Sequence, residues 1–256
     1  MRRLLFLAVS LLVAFPFSLA QADTVDDGIL EENIDHGIVA VLGSSSEDFQ
    51  LALDLCKSPN VIVYYQTDDV AKANHARAEA AKAQLLGQRL FVEHAGSSRI
   101  EMGNNVADRV LIPHPNETSP SREEILRVVR PHGIAKLGSK RFTKPVPEGS
   151  DDWSHPYHGP DNNPQSDDQL VRGGFRTQFI GYPMFSPMPE QSVIANGRIY
   201  KAMGHIAHKA NQNAMLNTLL CINAFNGTIL WRRDLSPGFM LHRNTMVATD
   251  DALYLG

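Results

Sequence analysis

The sequence predicts two folded parts in series: an α/β, Rossmann-like domain with a doubly wound parallel sheet, then all-β propeller blades that form an incomplete ring. Three observations carry this. Between Gly37 and Ser139, short apolar runs alternate with stretches of helical period, the pattern of strand–helix–strand units in a parallel sheet. From Ser192 onward the helical periods stop, and β-branched and aromatic runs come in pairs joined by turn residues. The first of these pairs then recurs. Val193, Asn196, Ile199 and Tyr200 fall against Val247, Asp250, Leu253 and Tyr254 at a constant offset of 54 residues, slightly more than the about 40 to 50 residues of common propeller repeats.

In chain order, Arg2 and Arg3, the apolar run Leu4 to Phe17 and the small-residue site Ala20-Gln21-Ala22 form the three regions of an export signal over residues 1–22. The apolar run is shorter than the about 20 residues a membrane span needs. The expectation is a mature chain starting near Asp23, exported to the periplasm or cell surface, with no membrane span after signal removal. The net charge of −4 gives no general attraction to nucleic acid or to anionic membrane. Cys56 and Cys221 fall in different parts and in apolar settings, so two buried free thiols are expected rather than a disulfide. No C-x-x-C is present, which excludes a redox dithiol.

A polar lead, residues 23–36, precedes the α/β part at 37–145. Gly37 to Leu42 reads as a buried strand, followed by a glycine turn and a helix carrying Phe49, Leu53 and Cys56. The run from Asn60 is a second strand, and Asp69 to Leu86 an alanine-rich helix. LFVEHA and DRVLIP are the third and fourth strands. Ser121 with Glu124 three residues later is a capping box for a helix that ends at Pro131 to Gly133, and IAKLG is the fifth strand.

This order, the glycine turn after the first strand and the Arg-Pro-His-Gly before the fifth resemble class I AdoMet-dependent methyltransferases. In that family a glycine-rich loop after the first strand admits the cofactor, and an acidic residue ending the second strand holds its ribose. Here Gly43 survives, followed by Ser44, Ser45 and Ser46. The expected carboxylate falls at Gln66, with Asp68 two residues late. The resemblance implies an AdoMet-like pocket at Gly43, Ser44, Gln66 and Asp68, in degenerate form. The family's final antiparallel hairpin is expected to be missing.

Residues 146–190, with DDWSHPYHGPDNN at Asp151 to Asn163, are rich in Pro, Asn, Asp and Ser and read as an irregular linker. Trp153, His155, His158, Asn162 and Asn163 resemble a segment that joins a methyltransferase-like domain to a propeller in exported bacterial proteins. His155 with His158, and His205 with His208, form two His-x-x-His pairs that could hold zinc if the fold unites them. Met184, Met188, Met203, Met215, Met240 and Met246 are too dispersed for a copper site and read as core fillers.

In residues 191–256, Asn196-Gly197 is a type I′ turn signal, and Gly227 needs positive φ in a second hairpin over Thr218 to Leu235. Both strands of that second hairpin lack alternation, so each is expected to be covered on both faces. The run CINAFNGTILW is similar to the repeat of PQQ-binding-like (quinoprotein) propellers at Gly227 and Trp231. The family's Asp and Thr positions hold Asn223 and Asn226. One blade and the start of another fit before Gly256.

The function expected from all this is an exported propeller that binds a protein or carbohydrate-like ligand, or serves as a scaffold, with an inactive methyltransferase-like domain. A quinoprotein oxidoreductase using PQQ with calcium, and an AdoMet-dependent methyltransferase, are the alternatives that the two resemblances imply.

Overall fold

The computed structural model of the chain describes residues 24–25, 34–174, 176–236 and 246–256. The expected signal at 1–22, most of the polar lead and Met240 lie outside the described residues.

The α/β part contains, in order, β1 (Thr24–Val25), β2 (His36–Leu42), α1 (Ser46–Leu55), β3 (Asn60–Thr67), α2 (Val70–Lys82), β4 (Leu90–His94), β5 (Ala107–Ile112), α3 (Arg122–Val128), β6 (Val129–Leu137) and β7 (Lys140–Thr143). They form a seven-stranded sheet in the order β4-β3-β2-β5-β6-β7-β1. Neighbours from β4 through β6 pair in parallel, whereas β7 runs antiparallel to β6 and β1 antiparallel to β7. The chain builds outward from β2 through β3 to β4, then crosses back to lay β5 on the other side of β2. The doubly wound parallel sheet is therefore as expected.

Three local readings need correction. The antiparallel hairpin expected to be missing is present in short form, because β7 folds back on β6 and its backbone pairing continues to β1. The third helix ends at Val128, not at Pro131 to Gly133. The residue before a proline is pushed out of the helical region, so Arg130 is already extended and β6 begins at Val129. The capping box at Ser121 is half made. The Ser121 hydroxyl accepts from the Glu124 N–H, but the Glu124 carboxylate turns to the Ile100 N–H and to Arg127. The closed box is on α1 instead, where Ser45 and Asp48 cap each other.

Both faces of this sheet are covered, which explains why its strands lack alternation. Val39, Val41, Val63 and Tyr65 pack under α1 and α2 with Phe49, Ala52, Ala76 and Ala80. On the other face Ala40, Val110, Ile112 and Ala135 pack with Ile125 and Val128 of α3. Cys56 and Cys221 are buried free thiols, as expected, and burial raises both; Cys221 is pushed up to about 11.

Residues 146–187 are mostly irregular but stitched to the C-terminal strands. Trp153 exchanges backbone hydrogen bonds with Ile194, and the Ser154 carbonyl accepts from the Ala248 N–H. Beyond lie β8 (Met188–Ala195), β9 (Arg198–Ile206), a 3-10 helix (Ala210–Met215), β10 (Thr218–Asn223) and β11 (Ile229–Asp234). These four strands make an up-and-down antiparallel sheet. The turns are built as the sequence requires, with φ of +49° and +69° at Asn196 and Gly197 and +75° at Gly227. A separate hairpin, β12 (Met246–Ala248) with β13 (Leu253–Leu255), places Met246 and Ala248 against Val193, Ala195, Tyr200 and Cys221. On the opposite face Met203, Leu220 and Ile222 pack with Met215.

The double cover expected for both strands of the second hairpin holds for β10 and fails for β11. β10 is buried throughout, but β11 is an edge strand whose residues are mostly exposed, and Trp231 rests on Tyr200 with ring centroids 6.0 Å apart. No ring of blades is formed among the described residues. The described strands from β8 to β13 form two packed antiparallel sheets, of four and two strands.

Candidate functional site

A cleft of about 250 Å³ opens where the carboxyl ends of β2, β3 and β5 meet. The chain reverses its direction of sheet building between β2 and β5, and in open α/β sheets such a reversal leaves a crevice outside the strand ends. All four residues expected at the AdoMet-like pocket, Gly43, Ser44, Gln66 and Asp68, line it. The structure therefore brings them together, but it gives them uses other than those expected.

Gln66 is buried and both ends of its amide are engaged. Nε2 donates to the Gly96 and Arg99 carbonyls, while Oε1 accepts from the Glu101 N–H and the Tyr64 hydroxyl. It clamps the 96–101 loop, which forms one wall of the cleft. Gly43 is needed for a close approach, since a Cβ there would collide with the Asp48 carboxylate. Its carbonyl accepts from the Tyr65 hydroxyl, a group that burial pushes up to about 12.

Asp68 stands at the exposed rim. Oδ1 accepts the Ser44 hydroxyl at 2.7 Å and Oδ2 the Ser97 hydroxyl at 2.5 Å. These two hydroxyls, Ser97 first, hold the carboxyl below its ordinary range. Lys72 reaches over the rim, but its ammonium donates to the Ser44 carbonyl.

Sequence reasoning missed Ser97, the second hydroxyl on Asp68, and two further residues of the cleft. Asp48, only 1% exposed, lies at the base of α1 with Oδ2 on the Ser45 N–H and Oδ1 2.8 Å from Nδ1 of His114. His114 follows β5. The Ser-x-x-Asp spacing of Ser45 and Asp48 is a capping signal that could have marked Asp48; nothing in sequence brings His114 to it.

AdoMet does not fit this lining in the pose the family resemblance implies. The space above Gly43 is filled by Asp48, the position of the ribose-holding acid is a buried and fully bonded amide, and no buried side-chain nitrogen or oxygen among the described residues lacks a partner. The metal reading also finds no support. No group of three or more His, Cys, Asp or Glu side chains is placed to hold a metal among the described residues, so the four histidines are not united. Instead Nε2 of His158 is engaged by Asp151 at 2.7 Å and Nδ1 of His155 lies 2.9 Å from the Ser154 hydroxyl, while His205 and His208 are exposed.

At the opposite, amino edge of the sheet a second buried carboxylate joins the two parts. Asp108 Oδ1 accepts from Arg130 Nε at 2.5 Å and Asn223 Nδ2 at 2.8 Å. Its Oδ2 accepts from the Ile38 N–H and Asn226 Nδ2, both at 2.8 Å. Asn223 and Asn226 hold the positions at which the chain departs from the expected propeller repeat. At 223 an Asp would repel the Asp108 carboxylate, whereas the amide donates to it; at 226 the longer amide donates both to Asp108 and to the Val106 carbonyl.

Over about 40% of its length the chain is similar to solved methyltransferase structures. One, from Methanococcus maripaludis, is assigned as an S-adenosyl-L-methionine-dependent methyltransferase (18% identity, 41% of this chain and 48% of that one, TM-score 0.36). Another is a SAM-dependent methyltransferase from Aquifex aeolicus (18% identity, 39% and 54%, TM-score 0.34). A third, from Galdieria sulphuraria, is assigned as a sarcosine dimethylglycine methyltransferase (16% identity, 39% and 38%, TM-score 0.34). The chain spans about half the length of these proteins, or less. No protein-family model and no curated protein matches it.

Proposed function

We propose that this chain is a methyltransferase-like protein whose cleft binds a small, uncharged or cationic ligand carrying a vicinal diol, of carbohydrate or nucleoside type. One observation carries the reading: Asp68 accepts one hydroxyl on each carboxylate oxygen, from Ser44 and Ser97. That is the pattern a vicinal diol offers, and charge-assisted hydrogen bonds of this kind are the strong ones. Asp68 is exposed and the two serines are half-buried beside it, so a diol reaches the carboxylate by displacing their hydroxyls. Charge agrees with this, since Asp48 and Asp68 line the cleft and the Lys72 ammonium at its rim is engaged by the Ser44 carbonyl, which disfavours phosphates and other anions. At about 250 Å³ the cleft is below the usual range for ligand sites, roughly 300 to 1,000 Å³, and suits a single ring better than a dinucleotide.

Calorimetry with ribose, adenosine and AMP tests this. Ribose or adenosine should bind, Asp68→Ala should abolish binding, and AMP should bind several-fold more weakly than adenosine, since it offers the same diol but brings a phosphate up to Asp48 and Asp68. The ribose arm separates a sugar site from a nucleoside site. AMP binding as tightly as adenosine, or binding that survives Asp68→Ala, would overturn the proposal.

AdoMet-dependent methyl transfer is the second reading, favoured by the cleft's place at the sheet reversal. It requires Asp48 to leave Gly43. Titration with AdoMet is expected to show no binding, whereas micromolar binding lost in Gly43→Trp would establish this reading over the first.

Two finer points belong to the same proposal. Arg2 to Ala22 support export, which N-terminal sequencing of the mature product checks. The 54-residue offset supports reading the C-terminal sheets as adjoining propeller-type blades. Val193 and Ala195 of β8 meet Met246 and Ala248 of β12; these pairs are one residue out of repeat register, so the two sheets meet by opposite faces, as stacked blades do.

A further inference from the structure

We infer that Asp48 and His114 form a proton-accepting pair in the cleft, with Nε2 of His114 as the atom that takes a proton from a bound hydroxyl; this rests on the reading of the cleft as a ligand site. The geometry fixes which ring nitrogen is basic. A carboxylate only accepts hydrogen bonds, so the 2.8 Å contact between Asp48 Oδ1 and His114 Nδ1 places the ring proton on Nδ1 and the free lone pair on Nε2. Asp48 cannot turn away easily. It is 1% exposed, its other oxygen accepts from the Ser45 N–H at 2.9 Å, and its own N–H donates back to the Ser45 hydroxyl. A buried, doubly anchored carboxylate behind a histidine is the arrangement that sets tautomer and steadies an imidazolium.

His114 itself is placed to react. Its side chain is 58% exposed and lines the cleft. The acidic groups facing it are Asp48 and Glu47, both from α1, and Glu47 Oε2 is 3.8 Å from Nε2, beyond hydrogen-bonding range. In the transfer, the ligand O–H bond breaks and Nε2–H forms. The oxygen keeps the electron pair, and the Asp48 carboxylate balances the imidazolium. A second histidine shows what burial of the carboxylate adds. His36 also has Nδ1 on a carboxylate, that of Asp35, but Asp35 is its chain neighbour and is 69% exposed, where Asp48 is buried.

Long-range ¹H–¹⁵N NMR of the whole protein, at a pH where the imidazoles are neutral, tests the pair directly. His114 should be the Nδ1–H tautomer. Asp48→Asn keeps an acceptor for the Ser45 N–H but presents an NH₂ to His114, which should reverse the tautomer to Nε2–H. Diethyl pyrocarbonate provides a second readout. His114 should be modified faster than His205 or His208, and several-fold more slowly in Asp48→Asn, with His36 unchanged as the control. A wild-type His114 in the Nε2–H form, or reactivity equal to that of His205, would overturn the inference. The wild-type measurements need neither ligand nor variant, so the wild-type tautomer stays decisive even if Asp48→Asn does not fold. They are also independent of diol binding: loss of the pair with diol binding intact sinks this inference alone, and the reverse sinks the ligand reading.

Discussion

Asp108 and Asp48 are buried carboxylates, 8% and 1% exposed, at opposite edges of the same parallel sheet. At the amino edge Asp108 is surrounded by donors from the protein: a strand N–H, an arginine and two asparagines of the distant β10–β11 turn. At the carboxyl edge Asp48 meets one backbone N–H and a half-exposed histidine beside an open cleft. The contrast separates two uses of a buried charge. One edge is closed by the chain itself and is structural. The other leaves a carboxylate and an imidazole facing space, and that edge is where ligand chemistry belongs.

The largest expected effect tests the closed edge. Asp108→Ala removes the acceptor of all four bonds and leaves Arg130 without its carboxylate, a change expected to cost about 3 to 5 kcal/mol. The readouts separate naturally. Trp153 and Trp231, the chain's two tryptophans, lie in the C-terminal half, so fluorescence follows that half, whereas α1, α2 and α3 dominate the far-ultraviolet circular dichroism. In the wild type the two denaturation curves should coincide, as one cooperative unit requires. In Asp108→Ala they should separate, with fluorescence lost first. Coincident curves in the variant would mean that the halves are held by something other than this carboxylate.

How far the sequence reveals these two edges depends on the range of the contacts involved. The α/β sheet is legible because its apolar runs and helical periods are local properties, and the Asn196-Gly197 turn is read from two residues alone. The short β7 strand is not, since Lys140 to Thr143 has no apolar pattern and is a strand only because β6 offers it an edge. The exposure of β11 is hidden for a similar reason: Ile229 to Trp231 read as buried, but nothing local says that the sheet stops there. Of the site, Gly43, Ser44, Gln66 and Asp68 are implied by the methyltransferase resemblance at the ends of two strands. Their roles are not, because Gln66 is explained by a loop 30 or more residues away, and the Asp48–His114 contact spans 66 residues. The asparagines at 223 and 226 read as imperfections of a repeat until Asp108 supplies their partner.

A smaller effect concerns the wall of the open edge. Gln66→Ala deletes a buried amide whose partners are the Gly96, Arg99 and Glu101 backbone and the Tyr64 hydroxyl. Losing these part-buried hydrogen bonds costs about 1 kcal/mol each, and Ser97 should lose its fixed place beside Asp68. Amide hydrogen exchange should accelerate across 96–101 while the Asp108 junction keeps its protection. Faster exchange at both edges would show that they are not independent.

The smallest effect is pH-dependent and comes from the support behind that same wall. Glu124 accepts from the Ile100 N–H and from Arg127 Nε and Nη2, and Arg127 also donates to the Ile100 and Met102 carbonyls. The Arg127 guanidinium holds the Glu124 carboxyl down to about 2, against an ordinary value of 4.5. A carboxyl with a depressed folded-state pKa adds stability that is fully present above 4.5 and is lost as pH falls through about 2. Glu124→Gln should therefore be less stable than wild type near neutrality, by about 1.5 kcal/mol for a charge-assisted bond. That gap should narrow between pH 4.5 and 2, because a protonated glutamic acid and a glutamine present Arg127 with the same neutral acceptor. Urea midpoints of both proteins across that range measure it. A gap that stays constant with pH would show that Arg127 gains nothing from the charge on Glu124, and that its bonds to the Ile100 and Met102 carbonyls alone hold the wall in place.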